Sequence, residues 1–113
     1  MPELKKYQMF IDGEWVDSDT KKTFETLNPE NNKPWAIVPE ASTNDVDRAV
    51  KAAHKAFEGE WPNLLPRERA KFLRAIGNKL RENAELLGKV ETIDTGKLYR
   101  ETHKQANYIA EYY

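Results

Sequence analysis

The apolar positions of this chain follow two periods, and the change comes at Ser42. Before it, Met9-Phe10-Ile11 and Glu14-Trp15-Val16 flank Asp12-Gly13, and an Asp-Gly pair between β-favouring triplets predicts a hairpin. Asp17-Ser18-Asp19 predicts a turn. Lys22 to Leu27 alternates as a strand does, and Asn28-Pro29-Glu30-Asn31-Asn32 is a loop by composition. Trp35-Ala36-Ile37-Val38 predicts a further short strand, stopped by Pro39. Residues 7–40 therefore predict a small sheet of short antiparallel strands.

From residue 42 to 113 the period is helical. Ser42 followed by Asp45 has the spacing of a capping box, with Asp where Glu or Gln is usual. Val46, Ala49, Val50, Ala53 and Phe57 then mark one face of an amphipathic helix that Gly59 ends. Glu60-Trp61-Pro62-Asn63 is a loop. The longest periodic stretch runs from Leu65 to Lys97, with Pro66 suited to a first helical position, where its missing N–H costs nothing. Phe72, Leu73, Ile76 and Leu80 share a face, and Leu86, Leu87, Val90 and Ile93 resume the stripe at a new phase. This predicts two helices bending near Glu82–Asn83, with Asn83 as a fresh N-cap. Gly96 predicts a left-handed stop, and Lys97 sits where the helix dipole is negative. Everything before this stretch is expected to cover its apolar face. A last helix from about Arg100 carries Ala106, Ile109 and Ala110 with Tyr108, Tyr112 and Tyr113. An ending on two aromatics predicts either a docked helix or the front part of something longer.

Composition narrows the function classes. At 113 residues the chain suffices for one domain with a modest core. A net charge of −1 argues against a nucleic-acid binder, which carries a large basic excess. With no cysteine there is no disulfide framework, thiolate metal site or cysteine nucleophile. No stretch resembles a signal peptide or a bilayer span, so the cytoplasm is the expected location and no membrane partner is expected.

The residues alone assemble no catalytic constellation. The five glycines stand too far apart for a dinucleotide fingerprint. Gly96-Lys97 fails as a phosphate loop, because that motif needs glycine where Glu91 stands and Ser or Thr where Leu98 stands. His54 and His103 lack metal-ligand spacing and read as solvated helix residues. The basic run from Arg67 to Arg81 is interrupted by Glu68 and reads as a solvated face. Asp94 is different: a carboxylate near the C-terminal end of a helix meets a mildly unfavourable dipole, so it calls for a compensating hydrogen bond or a cation.

Five motifs in register carry a resemblance. Phe10-Ile11-Asp12-Gly13-Glu14-Trp15, Asn28-Pro29, the Asp45–Ala53 run leading to Ala56-Phe57, Pro66-Arg67-Glu68-Arg69-Ala70 and Glu91-Thr92-Ile93-Asp94-Thr95-Gly96-Lys97 together resemble the N-terminal region of the aldehyde dehydrogenase superfamily. The betaine-aldehyde-like and broad-specificity branches are nearest in flavour. The resemblance implies an α/β, aldehyde-dehydrogenase-like fold of which residues 1–113 form only the opening part of the cofactor-binding domain, truncated before the Rossmann-like core and the catalytic domain. It implies a parent that oxidises an aldehyde to a carboxylic acid with NAD or NADP. There a cysteine attacks the carbonyl, hydride passes to the nicotinamide and the thioester is hydrolysed. In the family the nucleophilic cysteine, the general base, the oxyanion-hole asparagine and the cofactor loop come later than Tyr113, so no catalytic or cofactor-binding residue carries over and the chain alone is expected to be inactive scaffold. The resemblance also implies a monovalent-cation site, K+ or Na+, with Thr26, Leu27 and Asp94 at the matching positions. A hard cation takes oxygen ligands, and one carboxylate with several carbonyls suits a monovalent ion. The implied partners are the remainder of the aldehyde dehydrogenase chain and, in the parent, the aldehyde and further copies in a homodimer or homotetramer. The competing expectation is a stand-alone helical interaction module without enzymatic activity. If the resemblance holds, faces such as Phe72/Ile76/Leu80 and Tyr108/Tyr112 should lie open as apolar patches.

Overall fold

The computed structural model describes residues 3–113, and it divides into two compact units where the sequence predicts one domain. The first unit holds residues 3–27 and Lys33–Asn63; the second holds Asn28–Asn32 and Leu64–Tyr113.

In the first unit, β1 (Lys5–Lys6), β2 (Met9–Ile11), β3 (Glu14–Val16), β4 (Thr23–Asn28, its last residue in the second unit) and β5 (Lys33–Pro39) precede α1 (Thr43–Glu58) and a 3₁₀ turn at Trp61–Asn63. The Asp-Gly hairpin forms as its sequence predicts: β2 and β3 pair antiparallel with Phe10 opposite Trp15, and Asp12 and Gly13 take φ of 53° and 81°. Both central residues thus lie in the left-handed region that a two-residue hairpin turn needs. The strands do not form one antiparallel sheet, however. The hairpin stands apart from a three-stranded sheet ordered β1-β5-β4, in which β1 runs parallel to β5 with Lys5 opposite Ala36. A two-residue strand of exposed lysines carries no alternation to read, so its pairing is decided only by the partner it meets.

The second unit is helical: α2 (Pro66–Glu82), α3 (Ala84–Thr95), α4 (Tyr99–Ile109) and a 3₁₀ turn at Ala110–Tyr112. Pro66 opens α2, and the Glu68 carboxylate accepts the Leu65 N–H at 2.7 Å. The bend falls at Asn83 as predicted, and Asn83 stands at the N-cap position of α3, its carbonyl accepting the Leu87 N–H at 2.9 Å, but its side chain does not cap that helix. Its side chain turns back and donates to the Lys79 carbonyl at 2.9 Å, closing α2 rather than opening α3. An amide can serve either helix end, and the ψ of 11° here departs from the extended backbone that a side-chain N-cap takes, so the amide turns to the carbonyl behind it. Gly96 has the expected left-handed φ of 76° and stops α3. Pro29 reaches to within 3.0 Å of where a Cβ on Gly96 would sit, so the Asn28–Asn32 turn packs tightly on this stop. That turn is itself closed by Asn28, whose carbonyl accepts the Asn32 N–H at 2.7 Å and whose side chain accepts the Glu30 N–H at 2.9 Å.

What holds the helices together is small rather than greasy. A Cβ on Gly77 would lie 2.7 Å from the Ala110 carbonyl oxygen, and one on Gly88 would lie 2.9 Å from the His103 nitrogen. Buried Thr102 fills the second crossing, its hydroxyl 2.9 Å from the Gly88 carbonyl and 3.0 Å from the Thr92 hydroxyl. Thr102 has one proton to give, so donating it to Gly88 leaves it to accept from Thr92.

Candidate functional site

Among the described residues the buried hydrophobic ones are Ile11, Ala36, Ala84 and Ala110, three of them alanines. The large apolar side chains mostly face outward, and each unit has its own open face. On α1, Val46, Val50 and Phe57 keep the helical register predicted for them, yet Phe57 is 68% exposed. On α2, Phe72 is 56% and Ile76 45% exposed. Also in the second unit, Leu80, Leu87, Val90, Ala106 and Ile109 line a groove of about 350 Å³, with Asp94 along its lining. Tyr108 and Tyr112 stand beside each other with rings 5.2 Å apart and nearly perpendicular. The Tyr112 hydroxyl donates to that of Tyr108 at 2.7 Å, a bond that pushes the Tyr112 pKa up. Contiguous exposed apolar patches of this kind mark surfaces that something else covers.

The polar chemistry sits elsewhere. Asp45, 1% exposed, does more than close the capping box with Ser42, whose hydroxyl accepts the Asp45 N–H at 3.1 Å. Its carboxylate accepts the Ser42 N–H and the Ser18 hydroxyl, each at 3.0 Å, and the Asp19 N–H at 3.2 Å. Arg48 approaches it at 3.5 Å. The bond from the Ser42 backbone, with burial opposing it and the Ser18 and Asp19 donors adding to it, holds the carboxyl below the ordinary aspartate range. This tie between the β3–β4 turn and the start of α1 is what sequence reasoning missed. Ser42-x-x-Asp45 was legible as a local motif, whereas no spacing rule connects residue 18 to residue 45. On the second unit, the bond from Lys89 holds the Glu85 carboxyl low, and the same bond raises Lys89; this exposed pair is a surface contact of α3.

Of the three residues singled out for a cation, Thr26 is half-buried and Leu27 exposed, side by side on β4 in the first unit. Asp94 is exposed in the last turn of α3 in the second. Among the described residues no group of three or more His, Asp or Glu side chains is gathered as a metal cluster. Nor do the glycines build a nucleotide cradle: Gly77 and Gly88 are taken up by helix crossings, and Gly13 and Gly96 by left-handed turns. The residues present do not fit a dinucleotide, and no step through one can be derived from them. Among the described residues no helix is long and apolar enough to cross a membrane.

Comparison with known proteins gives this arrangement a context. The model of the Aldehyde dehydrogenase family matches residues 15–113. An aldehyde dehydrogenase of Aspergillus niger is 45% identical over 90% of the chain, which covers 21% of that protein. A (Z)-2-((N-methylformamido)methylene)-5-hydroxybutyrolactone dehydrogenase of Acinetobacter baylyi is 39% identical over 97% of the chain and 22% of its own length. Among solved structures, an NAD-dependent aldehyde dehydrogenase from Sinorhizobium meliloti superposes with a TM-score of 0.91 at 30% identity, covering 96% of this chain and 22% of that one. A betaine aldehyde dehydrogenase from Staphylococcus aureus in complex with NAD+ gives 0.87 at 40% identity, covering 91% and 21%. The chain thus spans about a fifth of the length of the relatives it matches.

Proposed function

Since the chain belongs to the aldehyde dehydrogenase family, we propose that it serves as the N-terminal scaffold layer of an enzyme that oxidises an aldehyde to a carboxylic acid with NAD or NADP, and that its own residues do none of the chemistry. The observation that carries this reading is the inverted packing: alanines and a glycine–threonine crossing inside, Phe57, Phe72 and Ile76 outside. Such a piece cannot bury its apolar faces by itself, and a larger body of the same enzyme supplies what they lack. The absence of any cysteine agrees, because the family's acyl-enzyme chemistry needs a thiolate. On this reading the assembly is cytoplasmic and oligomeric.

The test joins this chain covalently to the Staphylococcus aureus betaine aldehyde dehydrogenase in place of the stretch it matches. The fused enzyme is expected to produce NADH from betaine aldehyde and NAD+, while the chain by itself produces none. A fusion that folds but turns nothing over, or turnover by the purified chain alone, would overturn the scaffold role.

The same reading gives Thr26 and Leu27, through their carbonyls, and Asp94, through its carboxylate, a part in holding K+ or Na+. It is supported by the family resemblance and by an acidic residue standing against the helix dipole at the end of α3. In the fused enzyme, exchanging potassium or sodium chloride for a bulky-cation chloride at constant ionic strength should lower the melting temperature, and Asp94→Ala should remove that dependence. A dependence untouched by Asp94→Ala would rule Asp94 out as a ligand.

A further inference from the structure

We propose that the first unit holds a binding site for a small organic phosphate, a dianion carried on an apolar body, in the cavity between β1, β5 and the turn that leads into β4. This goes beyond the scaffold role and does not lean on it.

The cavity measures about 540 Å³, within the range of small-molecule sites. Its charged lining is three lysines, Lys6, Lys21 and Lys22, against one aspartate, Asp17. In a chain of net charge −1 that is a local excess of positive charge, not a general one. The aspartate is already answered: Gln8 donates to its carboxylate at 2.9 Å, and the Lys21 ammonium stands 3.5 Å from it. Lys5, next in sequence to Lys6 but outside the lining, lies over the Tyr7 ring at 4.7 Å. Lys6 and Lys22 are different, for among the described residues neither has an ion pair.

The backbone that carries these two lysines is fixed in advance. On one side of β5, Lys6 is paired opposite Ile37, and the Tyr7 N–H donates to the Ile37 carbonyl at 2.9 Å. On the other side, the Lys22 carbonyl accepts the Glu40 N–H at 2.9 Å, just past the end of β5. The turn before Lys22 is closed by the Lys21 N–H on the Ser18 carbonyl at 2.9 Å, and the buried Ser18 hydroxyl ties it to Asp45. A frame set before the ligand arrives loses less freedom on binding. Half-buried Tyr7, Ile37 and Pro39 supply an apolar wall. Lysine acts on phosphate as a point charge and demands no planar partner. A phosphate monoester carries about two charges at neutral pH, one for each unpaired lysine.

The probe is phenyl phosphate, titrated into the isotope-labelled chain while its amide signals are followed by NMR. Saturable shifts are expected at Lys6, Tyr7, Lys22 and Thr23, with a dissociation constant of about 1 mM. Benzyl alcohol, which has the ring without the charge, should bind at least about tenfold more weakly. Lys6→Gln combined with Lys22→Gln should weaken phenyl phosphate about tenfold. Lys71→Gln combined with Lys104→Gln removes the same net charge from the second unit and should change the affinity less than about twofold. Shifts that never saturate, or that centre on other residues, would overturn the site. Equal weakening by both double variants would do the same by assigning the effect to net charge, and benzyl alcohol binding as tightly as phenyl phosphate would remove the anion from the proposal.

Discussion

Gly88→Ala is expected to destabilise the second unit and lower the melting temperature of the chain by about 10 °C, although alanine is the better helix former. Propensity alone favours the substitution by about 1 kcal/mol. Against it, the new Cβ would lie 2.9 Å from the His103 nitrogen, 3.0 Å from its Cα and 3.2 Å from a Tyr99 ring carbon. Two of these are backbone atoms of α4 that cannot swing aside, so the helices must separate. Overpacking of this kind costs about 1–3 kcal/mol. Separation also stretches the bond from the buried Thr102 hydroxyl to the Gly88 carbonyl, leaving the Tyr99 carbonyl in its own helix, at 3.1 Å, as the remaining carbonyl acceptor. The clash therefore outweighs the propensity gain. A thermal melt followed by far-ultraviolet circular dichroism reads the result, and a variant melting at or above the parent temperature would show that the crossing has slack.

Asp45→Ala should be the most damaging single change in the first unit. It removes the acceptor for the Ser42 N–H, the Ser18 hydroxyl and the Asp19 N–H together, and it leaves Ser18, itself 1% exposed, with the Thr20 hydroxyl at 3.1 Å as its remaining side-chain neighbour. The loss should appear as a fall in melting temperature of about 10 °C or more. Asp45→Asn keeps the shape and an acceptor oxygen but loses the charge, so it should fall between the two. The pH dependence follows from the depressed carboxyl. A group whose folded pKa lies below its unfolded value binds its proton more readily when unfolded, so its stabilisation is fully present above the unfolded pKa, near 3.8, and is lost as pH falls through the lower folded value. Melting temperatures should accordingly hold through mildly acidic pH and drop below about 4, with the drop smaller in Asp45→Asn. An acid limb that Asp45→Asn leaves unchanged would assign the sensitivity to other carboxylates.

These two positions mark where the sequence could and could not be read. Ser42-x-x-Asp45 announces a helix start, because a capping box is built from residues three apart on one stretch of backbone. That the same carboxylate also gathers Ser18 and Asp19 depends on where the β3–β4 turn returns, which no local pattern encodes. Gly88 in the sequence is an isolated glycine inside a helical stripe, a mild weakness by propensity. Only the approach of α4 makes it a requirement. The parallel pairing of Lys5–Lys6 with β5 and the backward turn of the Asn83 side chain are not legible in the sequence for the same reason: each is decided by a neighbour that has to be in place first.

What the sequence determined by itself was everything set within a few residues: the Asp-Gly hairpin, the helix at Ser42, the Pro66 start, the bend at 82–83 and the left-handed stop at Gly96. It also determined the aldehyde dehydrogenase family, through motifs kept in register along the chain. The tertiary structure alone decided which apolar stripes are covered. Periodicity says that Phe72 and Ile76 share a face, but burial is a relation between elements, and here the helices meet through Gly77, Gly88 and Thr102 and leave that face to solvent.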